Sequence, residues 1–155
     1  VGKKELAKIP LFGFFYKRTC ILVDRSSAGS RKEVYLKAKR RLKNGTSVAI
    51  FPEGMVPDED IILSSFKNGA FSLAIEHEIS ISPAIYYDCK RFFSWTWFKG
   101  SPGTIRVQQI KSISTIGLEK KDLKTLKSKV FDKMYALLIG DDVYMKDTNR
   151  FLQKK

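Results

Sequence analysis

The stretch CILVDRSSAGSRKEVYLKAKRRLKNGTSVAIFPEG, residues Cys20 to Gly54, decides the fold class. Cys20-Ile21-Leu22-Val23 is a β-rich apolar run closed by Asp24-Arg25-Ser26-Ser27, which predicts a strand and then a loop. Ser30 with Glu33 three residues on forms a capping box, each side chain satisfying a free backbone N–H of a helix start. Val34, Ala38 and Leu42 recur on one helical face among lysines and arginines, and Asn44-Gly45 supplies the stop. The chain then enters a second apolar run, Ser47 to Phe51, as a right-handed β-α-β crossover does. Pro52 holds Phe51 extended, so this strand ends by delivering Glu53 and Gly54 to the rim of a sheet. In α/β enzymes that rim carries the chemistry.

Upstream, Lys3 to Ile9 reads as a short helix or turn ended by Pro10, with Gly13 as a bend. Downstream, the acidic loop Pro57 to Asp60 precedes a helix from about Lys67 to Glu78. Ile79 to Tyr87, interrupted by Pro83, and Ile105 to Ile110 read as further strands. Leu123, Leu126, Val130, Phe131, Met134, Leu137 and Leu138 fall at helical spacing and predict an amphipathic helix over Glu119 to Ile139. Gly140 ends it, and residues 141–155 are expected to fray as a basic tail. Strands and helices alternate and the strands are continuously apolar. That pattern predicts an α/β fold, a mostly parallel sheet flanked by helices, in a single domain over residues 1–155. The first residue is Val1 and not Met, so a preceding N-terminal part is expected.

Twenty-nine Lys and Arg against sixteen Asp and Glu leave a formal charge of +13, which favours anionic partners: nucleic acid, lipid surfaces or phosphorylated small molecules. Each basic residue close to an anionic membrane is worth about 1 kcal/mol. Cys20 and Cys89 are too few and too far apart for a metal-ligand pattern or a disulfide framework, and Cys20 reads as a small core residue. The chain contains neither a secretory signal nor an uninterrupted membrane-spanning stretch, so it is not expected to cross a bilayer by itself.

The candidate site residues have competing readings. Arg25, at a strand end, can offer its planar fork to a phosphate or pair with Asp24 or Glu33. Gly54 permits positive φ or a close backbone approach, and Glu53 can accept from a substrate hydroxyl or lock the loop. Lys67-Asn68-Gly69-Ala70-Phe71 can present an anion-binding helix start, or simply small residues for close packing. Pro83 removes a ladder hydrogen bond and needs an edge, an end or a bulge. His77, the sole histidine, sits between Glu76 and Glu78 and reads as a surface residue. Phe92, Phe93, Trp95, Trp97 and Phe98, flanked by Lys90-Arg91 and Lys99, suit a bilayer headgroup region or a loop packed on the body.

In order along the chain, Gly13 with Asp24-Arg25, Phe51-Pro52-Glu53-Gly54, Phe66-Lys67-Asn68-Gly69-Ala70-Phe71 and Ile81-Ser82-Pro83-Ala84-Ile85 resemble the second, third and fourth sequence blocks of the glycerolipid acyltransferases. They are most similar to those of the 1-acylglycerol-3-phosphate (lysophosphatidic acid) acyltransferases. Val1 to Lys4 and Ile9-Pro10 resemble that family's preceding stretch, so the likeness spans about residues 1 to 111. It implies transfer of a fatty acyl group from a coenzyme A or acyl-carrier-protein thioester to the free hydroxyl of lysophosphatidic acid, in phospholipid synthesis. It also implies Arg25 on the glycerol phosphate, Glu53, Gly54 and Lys67 at the acceptor site, and Pro83 near the acyl-chain tunnel.

The family's first block, a His with an Asp five positions later, supplies the base. It should lie just before Val1, so residues 1–155 are expected to hold no catalytic residue and to be inactive alone. Met55-Val56 stands where the family has Thr-Arg, removing a hydroxyl and a cation. The expected partners are a thioester donor, a lysophospholipid acceptor and an anionic membrane surface at its cytoplasmic face, reached peripherally or through an upstream anchor. No cofactor, metal or nucleic acid is expected. A non-catalytic lipid-binding relative and a basic nucleic-acid module are the rival readings, the latter without a recognition-helix, zinc-finger or RNA-platform signature.

Overall fold

The computed structural model describes residues 1–24, 27–93 and 100–152, which form two compact units, Val1–Phe51 and Pro52–Lys155. In the first unit, β1 (Gly2–Lys3) pairs in parallel with β2 (Leu22–Val23), Gly2 opposite Leu22 and Lys3 opposite Val23. A 3₁₀ turn, Lys4–Lys8, leads into α1 (Phe12–Thr19). Gly13 is not a free bend. It lies in the first turn of α1 against the Ala7 carbonyl, where a Cβ would collide. Ala7, Ile21, Val23 and Ala38 are the buried apolar residues of this unit.

The predicted helix is α2 (Ala28–Lys43), but it begins two residues before Ser30. Ser27 is the N-cap, its Oγ accepting from the Ser30 N–H at 3.2 Å. The Ser30 hydroxyl faces back to accept from the Asp24 N–H at 2.9 Å, and Glu33 pairs with Lys37 at 2.6 Å. Ser27 is as good a cap as Ser30, and the extra turn satisfies one more backbone donor. Asn44 and Gly45, the latter at φ +73°, end α2 as expected. Ser47 to Phe51 forms no strand and joins no ladder among the described residues, and Phe51 is exposed.

The second unit is built on two apolar clusters. In one, α3 (Gly69–Glu76) packs Phe71 and Ile75 against Leu126 and Val130 of α5 (Leu123–Ile139), with Phe66 and Ile113 completing it. In the other, Ile85 and Tyr87 meet Leu138 and Tyr144. Thr115, fully buried, shares its one hydroxyl proton between the Ala74 and Ile79 carbonyls, at 3.1 and 3.0 Å, and so caps the exit of α3. The amphipathic helix over 119–139 is borne out as a 3₁₀ turn at Lys120–Asp122 followed by α5.

Two expectations are corrected. First, the described residues show two two-stranded sheets, not a mostly parallel one. The pair β3 (Ala84–Tyr86) and β4 (Val107–Gln109) is antiparallel, with an isolated antiparallel bridge at Ile81 and Ile113. All three β4 residues are exposed, and two are glutamines. A strand with a wet face suits an antiparallel edge and not the buried core of a parallel sheet. Second, the expected frayed tail is helix α6 (Asp142–Leu152), following the short α4 (Cys89–Phe92) in chain order. Tyr144, Asp147 and Thr148 are buried along one face, and apolar contact with the second cluster keeps the helix formed.

Candidate functional site

The two central motifs meet in the second unit. The Lys67 N–H donates to the Pro52 carbonyl at 2.7 Å, and the Glu53 carboxylate accepts from the Ser64 N–H at 2.8 Å. Gly54 adopts φ +74°, and a Cβ placed on it would lie 3.2 Å from Lys67 Cγ. The Pro-Glu-Gly turn is therefore locked face to face with the segment leading into α3. Glu53-Gly54 and Lys67, which are separate in sequence, are brought together. Lys67 itself is exposed, and α3 starts two residues after it, at Gly69.

The same loop is fastened from two other directions. Lys90 Nζ donates to the Ile61 carbonyl at 2.6 Å, lies 3.4 Å from the Thr148 hydroxyl and sits 4.8 Å above the Tyr144 ring. Tyr144 donates its hydroxyl proton to the Ile62 carbonyl at 2.6 Å. Residues 61–64 are thus held at three backbone groups, the Ile61 and Ile62 carbonyls and the Ser64 N–H, by Lys90, Tyr144 and Glu53.

Burial dominates the electrostatics of this cluster. It pushes the Glu53 carboxyl above its ordinary value, opposed by the Ser64 N–H and the Lys90 charge. It lowers Lys90 to about 8, opposed by Glu53, Asp60 and Glu59. It raises Tyr144 to about 12, assisted by the charge of Glu53. Glu53 and Lys90 each moderate the cost of burying the other. The arrangement stiffens the loop that faces the Pro-Glu-Gly turn. It presents no nucleophile–base pair.

Lys90 and Tyr144 escaped the sequence reading. Lys90 and Arg91 were expected to flank a lipid-facing aromatic stretch, yet Lys90 is turned inward and Arg91 pairs with the buried Asp147 at 2.9 Å. The available signal was the spacing of Tyr144, Asp147 and Thr148, one helical face with a polar pattern.

The other candidates fall elsewhere. Pro83 is buried beside β3, and its carbonyl accepts from the Ile110 N–H at 2.8 Å, so it serves the ladder from which its ring is a missing donor. Phe93 is 90% exposed, whereas Phe92 covers Gly103. Arg25, Trp95, Trp97 and Phe98 lie outside the described residues. Met55 and Val56 are both exposed. His77 is not the surface residue expected: its side chain is 14% exposed, at the end of α3, and its Nε2 is shielded without a hydrogen-bond partner. Among the described residues no helix is long and apolar enough to cross a membrane, and no cluster of His, Cys, Asp or Glu has metal-binding geometry.

An α/β chain with its Pro-Glu-Gly turn locked to a Phe-Lys-x-Gly-x-Phe segment matches the acyltransferase family model over residues 1–87, and it belongs to the acyltransferase family. Among curated relatives, human 1-acyl-sn-glycerol-3-phosphate acyltransferase beta is 28% identical over 128 residues, 81% of this chain and 46% of that protein. The 1-acyl-sn-glycerol-3-phosphate acyltransferase of Saccharomyces cerevisiae is 29% identical over 152 residues, 95% of this chain and 50% of that protein. The crystal structure of the 1-acyl-sn-glycerophosphate (LPA) acyltransferase PlsC from Thermotoga maritima shares the fold. Its TM-score is 0.67 at 22% identity, covering 90% of this chain and 56% of that one. The chain spans about half the length of the curated relatives it matches.

Proposed function

We propose that the protein transfers a fatty acyl group from a thioester donor to the free hydroxyl of 1-acylglycerol-3-phosphate, and that residues 52–67 form the acceptor-side wall. The observation that carries this reading is the union of Glu53, Gly54 and Lys67 in one locked turn. The named activity of relatives aligned over most of this chain supports it. In the reaction, the acceptor oxygen attacks the thioester carbonyl, a base takes the hydroxyl proton, the C–S bond breaks and the thiol leaves with a proton. The base is a His in a His-x4-Asp block; five positions after His77 stands Ser82, so residues 1–155 do not contain that block. This chain then contributes binding and orientation, which by themselves lower a barrier by fixing the reacting atoms.

The protein works at the cytoplasmic face of an anionic membrane. Its +13 charge and the exposed Phe93 support that placement, since the cytoplasmic leaflet attracts basic surfaces. Acyl transfer by the full-length protein tests the proposal, with acyl-coenzyme A and acyl-carrier protein offered in turn to 1-acylglycerol-3-phosphate. Phosphatidate formation from either donor is the expected result. Lipid binding without turnover would identify a non-catalytic relative, and binding to nucleic acid that falls steeply with salt, without lipid binding, would identify a different class of protein.

A further inference from the structure

We propose that the cleft between the last turns of α1 and α2, in the first unit, binds a phosphate-bearing anion. The cleft measures about 360 Å³, within the range of ligand pockets. Lys17 of α1 and Lys37, Arg40 and Arg41 of α2 line it, backed by Cys20 and Ile21, and no carboxylate is among its described lining residues. Two of the cations are held in place from their own side. Arg41 donates to the Thr19 carbonyl at 2.8 Å through one nitrogen, and Lys37 is anchored by Glu33 one turn earlier.

Attraction to helix C-termini accounts for part of this set, because cations stabilise the exposed carbonyls of a last turn. It accounts for Arg41 on Thr19 and for Arg18 on the Phe14 carbonyl at 3.0 Å. Lys37, well before the end of α2, is paired with Glu33, but neither effect accounts for Lys17, Arg40 and Arg41 sharing one concave surface with it. No carboxylate lines the cleft beside Lys17, Arg40 and Arg41, and like charges so gathered repel each other unless an anion joins them. Guanidinium and ammonium groups around an apolar floor match a phosphate with its attached organic group.

Two sources carry this chemistry: a soluble nucleotide such as coenzyme A, and the headgroup of an anionic lipid. The test measures coenzyme A binding by calorimetry and vesicle binding by co-sedimentation, using phosphatidylcholine with and without phosphatidic acid. The full-length protein is compared with the triple variant Lys17→Gln, Lys37→Gln, Arg40→Gln. A second triple variant, Lys124→Gln, Lys129→Gln, Lys133→Gln, removes the same charge from another cationic surface, on α5. The cleft variant should lose at least about tenfold in affinity for one or both probes, while the α5 variant does not. Loss on coenzyme A alone identifies the soluble ligand, and loss on phosphatidic acid vesicles alone identifies the lipid. Equal losses in both variants, or wild-type protein that binds neither probe, would overturn the proposal. All three substituted side chains are exposed, so the fold should persist. If thermal melting shows otherwise, Arg40→Gln alone is read against the same outcomes. Neither readout depends on acyl transfer.

Discussion

At the residue scale, Gly54 is the position where identity matters most simply. Its φ of +74° and its approach to Lys67 leave no unstrained place for a Cβ. Gly54→Ala should lower stability by about 1–2 kcal/mol, read from denaturant midpoints, and reduce turnover with it. Glu53 is held by the Ser64 N–H, so its first task is to fix the loop. Glu53→Gln keeps an acceptor there and should retain most of the activity, whereas Glu53→Ala leaves the N–H unsatisfied and should lose kcat. Equal kinetic losses in both variants would instead place the charge on the substrate. Arg25→Ala should act mainly by raising the KM for the acceptor in steady-state assays. The sequence showed Glu53, Gly54 and Lys67 because a turn and a helix entry have local signatures. His77 was misread because flanking glutamates indicate exposure only on a regular helical face, and His77 sits where α3 ends.

At the element scale, the loop before Phe66 is secured by α4 through Lys90 and by α6 through Tyr144. Neither tie was legible, since each joins residues with no shared motif, and a half-buried lysine resembles an exposed one in sequence. The strands were legible as apolar runs but not in their pairing. Ser47 to Phe51 has the composition of a strand without a ladder, and β4 pairs antiparallel because its residues face water. The tail was misjudged because Asp and Lys dominate its composition while Tyr144 and Thr148 decide its packing.

Lys90 gives this scale its pH signature. Unfolded, it holds its proton to about its ordinary 10.5; folded, only to about 8. Between those values the unfolded chain binds the extra proton, so stability rises with pH across that window. Below about 8 both states are charged and the full cost of burying the ammonium remains. Lys90→Met should abolish this rise, measured as the difference in unfolding free energy between mutant and wild type from pH 7.5 to 10. A wild-type-like pH dependence in the mutant would show that Lys90 is not buried as described. Loss of the neighbouring cation should also push the Glu53 carboxyl further up.

At the scale of the whole molecule, the family and the α/β class were readable from the order of short blocks, each weak alone and specific in sequence. The chain carries a locked Pro-Glu-Gly turn and a formal charge of +13. The most direct test of the central claim follows transfer of a labelled acyl group to 1-acylglycerol-3-phosphate by the full-length protein, wild type and Glu53→Ala side by side. Label should appear in phosphatidate with the wild type and at a clearly reduced rate with the variant. No transfer from either thioester donor, or identical rates for the two proteins, would contradict the account.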